Sequence, residues 1–366
     1  MALNTSTLTS TSAGSLRRLP GPDVVRAIAL IGVVVMNYHG YLIIKGGERS
    51  GGWANDLFDP WTGPLSSRFA ATFVLVAGVG VTLLTRKAVR NGGDDITEMR
   101  WRLARRGALL YAGGLFLDTI WAGTIIPFYG AMFALAALLF TFRSRWIVLV
   151  GGFAVAAGAL LKVWEFQQLQ AGKSPGWVFV PTEGAPESFL LDVFVNGTHP
   201  LLPWLGFFCV GMLLGRVLDT SWWRLAALGG GVMLFAGASI ASGFASTDFQ
   251  QTVLSTNPGS RGLVYVASTL GTALIAFAAI DMIANRFEDQ TDPLRRAGQM
   301  TLTLYLAHIF LFNFAVDWVG LVEPAGLATS LLFSLGFWIV AIAAANAWHR
   351  RFGRGPAERI YRAIGG

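Results

Sequence analysis

Apolar stretches recur along this chain with polar gaps between them, near 24–44, 68–85, 107–122, 125–142, 146–163, 199–215, 224–244, 262–284, 299–316 and 326–347. The hydrocarbon core of a bilayer, about 30 Å thick, asks for roughly 20 apolar residues per helix. The pattern predicts an all-α, polytopic transmembrane helix bundle of about ten spans. The third, fourth and sixth stretches are short. Basic residues fall in every second gap. With the N-terminus in the cytoplasm, 21 of the 28 Lys and Arg lie in cytoplasmic segments and six lie on the opposite face, with Arg26 inside the first span. Lys and Arg accumulate in short cytoplasmic loops, so both termini are expected there, in a multi-pass protein of the cytoplasmic (plasma) membrane. The expected organisation is a disordered cytoplasmic tail over 1–20, a transmembrane domain over 21–350 and a cytoplasmic tail over 351–366.

Composition sharpens this reading. With 54% hydrophobic and 13% charged residues, a soluble globular class is excluded. The formal charge of +7 is then a topology signal, and no nucleic-acid partner is expected. The single cysteine, Cys209, sits within a span and allows no intrachain disulfide. The run after Arg17 and Arg18 is too long for a cleavable signal and is interrupted by Arg26, so it reads as an uncleaved anchor. The longest loop, 164–198, carries Trp164, Phe166, Trp177, Phe179 and Pro181. Such a loop serves as a lid or as an interfacial segment.

Polar residues inside spans are costly and therefore informative. On the first span, Asp23 and Arg26 are three residues apart and close enough to pair. From Arg26 to Asn37 the helix turns about 1100°, or 20° after whole turns, so Asn37 continues their stripe roughly 16 Å further along the axis. His39 lies about 200° from Asn37 and turns inward only if the helix frays at Tyr38-His39-Gly40. Asp118 and His199 fall at the outer ends of spans, as substrate-side or interfacial residues. Asp281 reads as an interfacial charge. His308 shares the ninth span with Tyr305, as a functional group or as a hydrogen-bonding partner for another helix.

Several of these residues sit in motifs. Arg18-Leu19-Pro20-Gly21-Pro22-Asp23-Val24-Val25-Arg26-Ala27-Ile28-Ala29-Leu30, continued by Val35-Met36-Asn37-Tyr38, resembles the entry helix of the heparan-α-glucosaminide N-acetyltransferase family and the related YeiB-like proteins. Ala27 stands where that pattern has glycine. The segment from Arg68 to Gly80 resembles the second helix of the YeiB-like branch. His199-Pro200-Leu201-Leu202-Pro203-Trp204-Leu205-Gly206, with Gly211 through Gly215-Arg216, resembles the P-W-L-G…G-x-x-L-G-R segment of the acetyltransferases. Gly298-Gln299-Met300-Thr301-Leu302, with Tyr305 and His308, resembles their late helix. The matches occur in order from residue 17 to about 315.

The resemblance implies an integral membrane acyltransferase. It would move an acetyl or short acyl group from cytosolic acetyl-CoA, a co-substrate, to an amine or hydroxyl of a sugar or glycolipid. It also implies a functional role for Asn37. The histidine that follows eleven positions later in the family is Glu48 here. His39 is then the candidate general base, since imidazole titrates near neutral pH. Asn37 is the candidate oxyanion donor, and His308 is the rival base. Arg recognises phosphates bidentately, so Arg26, with Asp23 beside it, and Arg105, Arg106 and Arg296 are candidate donor-binding residues. The alternative is a transporter or flippase, which would show paired inverted halves with matching broken helices. The Pro200-Pro203 and Ile126-Pro127 interruptions do not correspond in that way. The acceptor, the acyl length and a homodimeric state are not read from the sequence.

Overall fold

The computed structural model describes residues 20–179 and 190–366. The described residues are helical with no strand. Arg17 and Arg18, the tail before Pro20, and Pro181 of the long loop lie outside the described residues, as do the side chains of Trp177 and Phe179.

Twelve principal helices follow the chain: α1 (Pro20–Ile44), α2 (Arg68–Asn91), α3 (Gly93–Asp118), α4 (Ile126–Leu139), α5 (Ser144–Gln170), α6 (Leu201–Val217), α7 (Trp223–Gly243), α8 (Leu263–Arg286), α9 (Glu288–Gly298), α10 (Thr301–Phe312), α11 (Leu327–Phe352) and α12 (Pro356–Gly365). A π-helical turn, Asn313–Trp318, extends α10. Every expected span contains one of these helices. Among the described residues, seven helices are long and apolar enough to cross a membrane: α1, α2, α5, α7, α8, α10 with its π turn, and α11. The apolar helices α4 and α6 are shorter. The third expected span, 107–122, belongs to α3, which begins earlier, at Gly93. Asp94 and Asp95 in its first turn suit the positive end of the helix dipole, so the basic stretch up to Arg106 is helical.

The central element is α1, which packs against α2, α8, α9, α10 and α11. Leu30, Val34, Tyr38 and Leu42 recur every four residues, which keeps one stripe turned to the core, and all four are fully buried. Leu149, Phe153 and Leu160 of α5, Met233 and Ile240 of α7, and Leu332 and Ile339 of α11 are exposed. In an apolar solvent these outward faces are the ones a membrane protein is expected to show.

Helices in lipid associate through close packing of small residues. Between α3 and α4 the approach is tight: a Cβ on Gly130 would fall 2.4 Å from the Tyr111 amide nitrogen and 2.7 Å from the Gly107 carbonyl oxygen. Gly130→Val is therefore expected to destabilise the fold by about 1–3 kcal/mol. Thermal unfolding in detergent measures this; an unchanged midpoint would mean that α3 and α4 separate without cost.

The residues set apart as a tail after α11 fold back instead. Helix α12 packs against α3 and α10, and the Trp348 indole donates to the Arg354 carbonyl to tighten the turn (3.0 Å). His349 likewise belongs to α11, and its Nε2 meets Gln299 Oε1 at 3.2 Å. At the opposite end of α1, the loop carrying Asp59 is clamped by Arg49. Burial alone would raise the Asp59 carboxyl, but hydrogen bonds from Arg49, Thr62 and Trp61 outweigh it and hold it at about 2.

Candidate active site

On α1, Asp23 and Arg26 line a large cavity, and Asn37 reaches a buried cluster beyond it. The cavity, of about 940 Å³, runs along α2 from Arg90 to Phe73. Arg86, Lys87 and Arg90 of α2, Arg106 of α3 and Arg362 of α12 line its basic end. Phe73, Ala77, Val81, Leu84 and Phe133 make its walls apolar. Ile126, Tyr129 and Tyr305 are at the other end. An apolar chamber with a few convergent charged groups is the usual form of a small-molecule site.

Asp23 and Arg26 line this cavity together with Gln299. The helical spacing brings Arg26 Nη1 to 3.3 Å from Asp23 Oδ1. Arg26 also donates to the Gly298 carbonyl at 3.4 Å, and Gln299 Nε2 donates to Asp23 Oδ2 at 3.1 Å. Close approach makes this possible, because a Cβ on Gly298 would fall 1.8 Å from the Asp23 carbonyl oxygen. The ion pair thus joins α1 to the α9–α10 junction.

Three polar atoms of lining residues are buried without a hydrogen-bond partner: Arg106 Nε, Tyr129 Oη and Tyr361 Oη. An unmet buried donor costs about 1–3 kcal/mol. All three atoms belong to residues that line the cavity.

Beyond Tyr305, one turn further along α10, lies His308, fully buried. Its Nδ1 donates to the Tyr305 carbonyl. That fixes the tautomer and leaves Nε2 as the acceptor, which faces Asn37 Nδ2 at 3.2 Å. Tyr38 Oη donates to the His308 carbonyl at 3.0 Å. The Trp121, Tyr305 and Phe337 rings stand edge-on around the imidazole, with centroids at 5.5, 4.8 and 6.5 Å. Tyr305 connects this cluster to the cavity and to the α3–α4 loop, because its hydroxyl lies 2.8 Å from Thr124 Oγ1. The same loop is held by Asp118 Oδ1, which accepts from the Gly123 and Thr124 amides at 2.8 and 3.3 Å.

The expected site residues therefore separate. Asp23, Arg26 and Arg106 share the cavity wall. Asn37 and His308 meet each other. His39 does not join them: α1 stays helical through Gly40 to Ile44 instead of fraying. The His39 ring accordingly remains on the other side of the helix, buried, with Nδ1 3.1 Å from Ser330 Oγ of α11. Arg105 is exposed and outside the lining. Arg296 points to Asp292, in an ion pair that Arg295 shares. Asp281, expected as an interfacial charge, is buried and paired with Arg224 at 2.7 Å.

Tyr129, Tyr361 and Glu358 were not singled out from the sequence. Tyr129 follows Pro127 in an unbroken apolar run whose periodicity marks no face. The signal for α12 was present in the spacing of Ala357, Tyr361 and Gly365, four residues apart on one face.

Comparison with known families matches residues 18–241 to the family described as heparan-alpha-glucosaminide N-acetyltransferase, catalytic. Residues 211–365 match the family described as protein of unknown function DUF418. No curated protein matches the chain.

Proposed function

The chain belongs to the heparan-alpha-glucosaminide N-acetyltransferase catalytic family, and from that premise we propose that it transfers an acetyl or short acyl group from acyl-CoA to a sugar or cell-envelope glycoconjugate. The observation that carries this reading is the single cavity that combines a basic end, an apolar barrel and three unmet polar atoms. Phosphates and diphosphate of the donor fit the Arg86, Lys87, Arg90 and Arg106 end, where guanidinium groups bind phosphate oxygens in pairs. The apolar stretch past Val81 and Phe133 suits the donor's thioester arm. Arg26, held by Asp23, fixes the cavity between these two regions. With the basic end in the cytoplasm, ten spans and both termini on that side, the donor enters from where it is made.

At the inner end, an amine or hydroxyl of the acceptor attacks the thioester carbonyl. The new N–acyl or O–acyl bond forms, the carbon–sulfur bond breaks, and the thiol leaves. His308 Nε2 takes the proton lost by the nucleophile and passes it to the departing thiolate, which leaves as the thiol. The Asn37 amide, which now faces Nε2, donates to the oxyanion as charge develops on the carbonyl oxygen. His39, packed against Ser330, has no part in this scheme.

Acetyl-CoA should bind the purified protein and raise its unfolding midpoint, and Arg106→Ala should raise the KM for acetyl-CoA about 10-fold with kcat little changed. This follows from about 1.5 kcal/mol for a charge-assisted hydrogen bond. A protein that neither binds acetyl-CoA nor cleaves its thioester in the presence of amino sugars would rule out the reading.

A further inference from the structure

Helix α12 is a short helix after the last span, and its placement calls for an explanation. Pro356 lies in its first turn, where the missing N–H costs nothing. Its outer face carries Ile360 and Ile364, 62% and 60% exposed. Its inner face carries Glu358, Tyr361 and Gly365. An apolar outward face on a helix rich in Arg is what an interfacial helix presents to lipid. The inward face makes contacts that a mere anchor would not need.

Glu358 is the first of these. Helix α10 starts without a side-chain cap of its own. Its first amides, which have no partner within a helix, are met by Glu358 Oε1 from α12: Leu302 N at 2.7 Å and Thr303 N at 3.1 Å. The other carboxylate oxygen accepts from Thr303 Oγ1 at 2.5 Å. At its far end, α12 is held by Arg106, whose Nη2 donates to the Gly366 carbonyl at 2.5 Å. Gly365 lets the helix lie against that arginine, since a Cβ there would fall 2.7 Å from Arg106 Cγ.

Fastened at both ends, α12 presents Tyr361 and Arg362 to the cavity. The Arg106 guanidinium lies over the Tyr361 ring, 5.4 Å from its centroid. Yet Tyr361 Oη and Arg106 Nε are both buried and unpartnered. Two adjacent donors without acceptors, next to further cationic side chains, suit an anionic group with several oxygens.

We propose that α12 is the wall of the donor cavity that recognises the phosphate-bearing nucleotide end of the donor, with Tyr361 and Arg106 donating to its phosphate oxygens and Glu358 positioning the helix by capping α10. This rests on the acyl-CoA reading given above. The site then distinguishes a full coenzyme thioester from the same thioester on a bare pantetheine arm, and the distinction resides in the last turns of the chain.

The test compares acetyl-CoA with acetyl-pantetheine, which lacks the nucleotide, as donors for the full-length protein. The wild type should prefer acetyl-CoA through KM. Tyr361→Phe removes one hydroxyl and should raise the KM for acetyl-CoA about 10-fold, with kcat and the KM for acetyl-pantetheine unchanged. Glu358→Ala, which frees the helix, should reduce the same preference. If the two KM values move in parallel, or if the preference survives both substitutions, α12 is only structural and the proposal is wrong. A wild type that transfers acetyl from neither donor would instead remove the acyl-CoA reading itself, and this proposal with it.

Discussion

His308→Ala is expected to lower kcat for acyl transfer by roughly 10²–10⁴-fold, the usual scale for losing a general base, whereas His39→Ala should leave turnover near normal. Geometry separates the two imidazoles. His308 has its Nδ1 proton committed to the Tyr305 carbonyl, so its second nitrogen carries the lone pair. That lone pair faces Asn37, and His308 itself lies one turn beyond the cavity residue Tyr305. His39 faces away, against Ser330. Because His308 is fully buried, the alanine leaves a void. His308→Gln, which fills the site with a side chain that does not titrate, separates lost chemistry from lost packing. Single-turnover transfer of labelled acetyl measures both. A dead His39→Ala beside an active His308→Gln would return the base to the first helix.

Asn37→Ala should cost about 10²–10³-fold in kcat, the loss seen when one oxyanion donor is removed, with the KM for the donor unchanged. Asn37 is half-buried on α1, and its amide is already aimed at the imidazole. The amide can turn from Nε2 to the oxyanion as the proton moves to the ring. A raised KM with intact kcat would assign the residue to donor binding and defeat this reading.

Much of the site was legible because helical geometry is periodic. The Asp23, Arg26 and Asn37 stripe follows from 100° per residue, and the ion pair forms as spacing requires. Among the described residues, seven helices on the expected spans are long and apolar enough to cross a membrane, as length and hydropathy predict. What was not legible depended on contacts distant in sequence. No property of α1 alone says that Asn37 meets a side chain 271 residues away. The same periodicity that placed His39 about 200° from Asn37 was right; what differed was the helix end, which continues to Ile44 because Lys45 and Gly47 donate back to Tyr41 and Leu42. Arg105 and Arg106 are neighbours of equal chemistry in the sequence. Only the direction of each along α3 decides that one lines the cavity and the other is exposed. Hydropathy scales register spans, and a short amphipathic helix such as α12 falls below their threshold.

The cavity follows α2 from Arg90 to Phe73, which at 1.5 Å per residue is about 25 Å of helix axis. A bilayer's hydrocarbon core is about 30 Å thick. A carrier molecule lying in this channel would therefore have its reactive end near the far leaflet while its charged end stays at the near surface. If the proposed transfer holds, no protein segment would have to move across the membrane for the acyl unit to change sides. On the proposed acyl-CoA reading the spent carrier would withdraw by the route it entered, so one compartment would supply acyl groups to another without exporting any of its coenzyme.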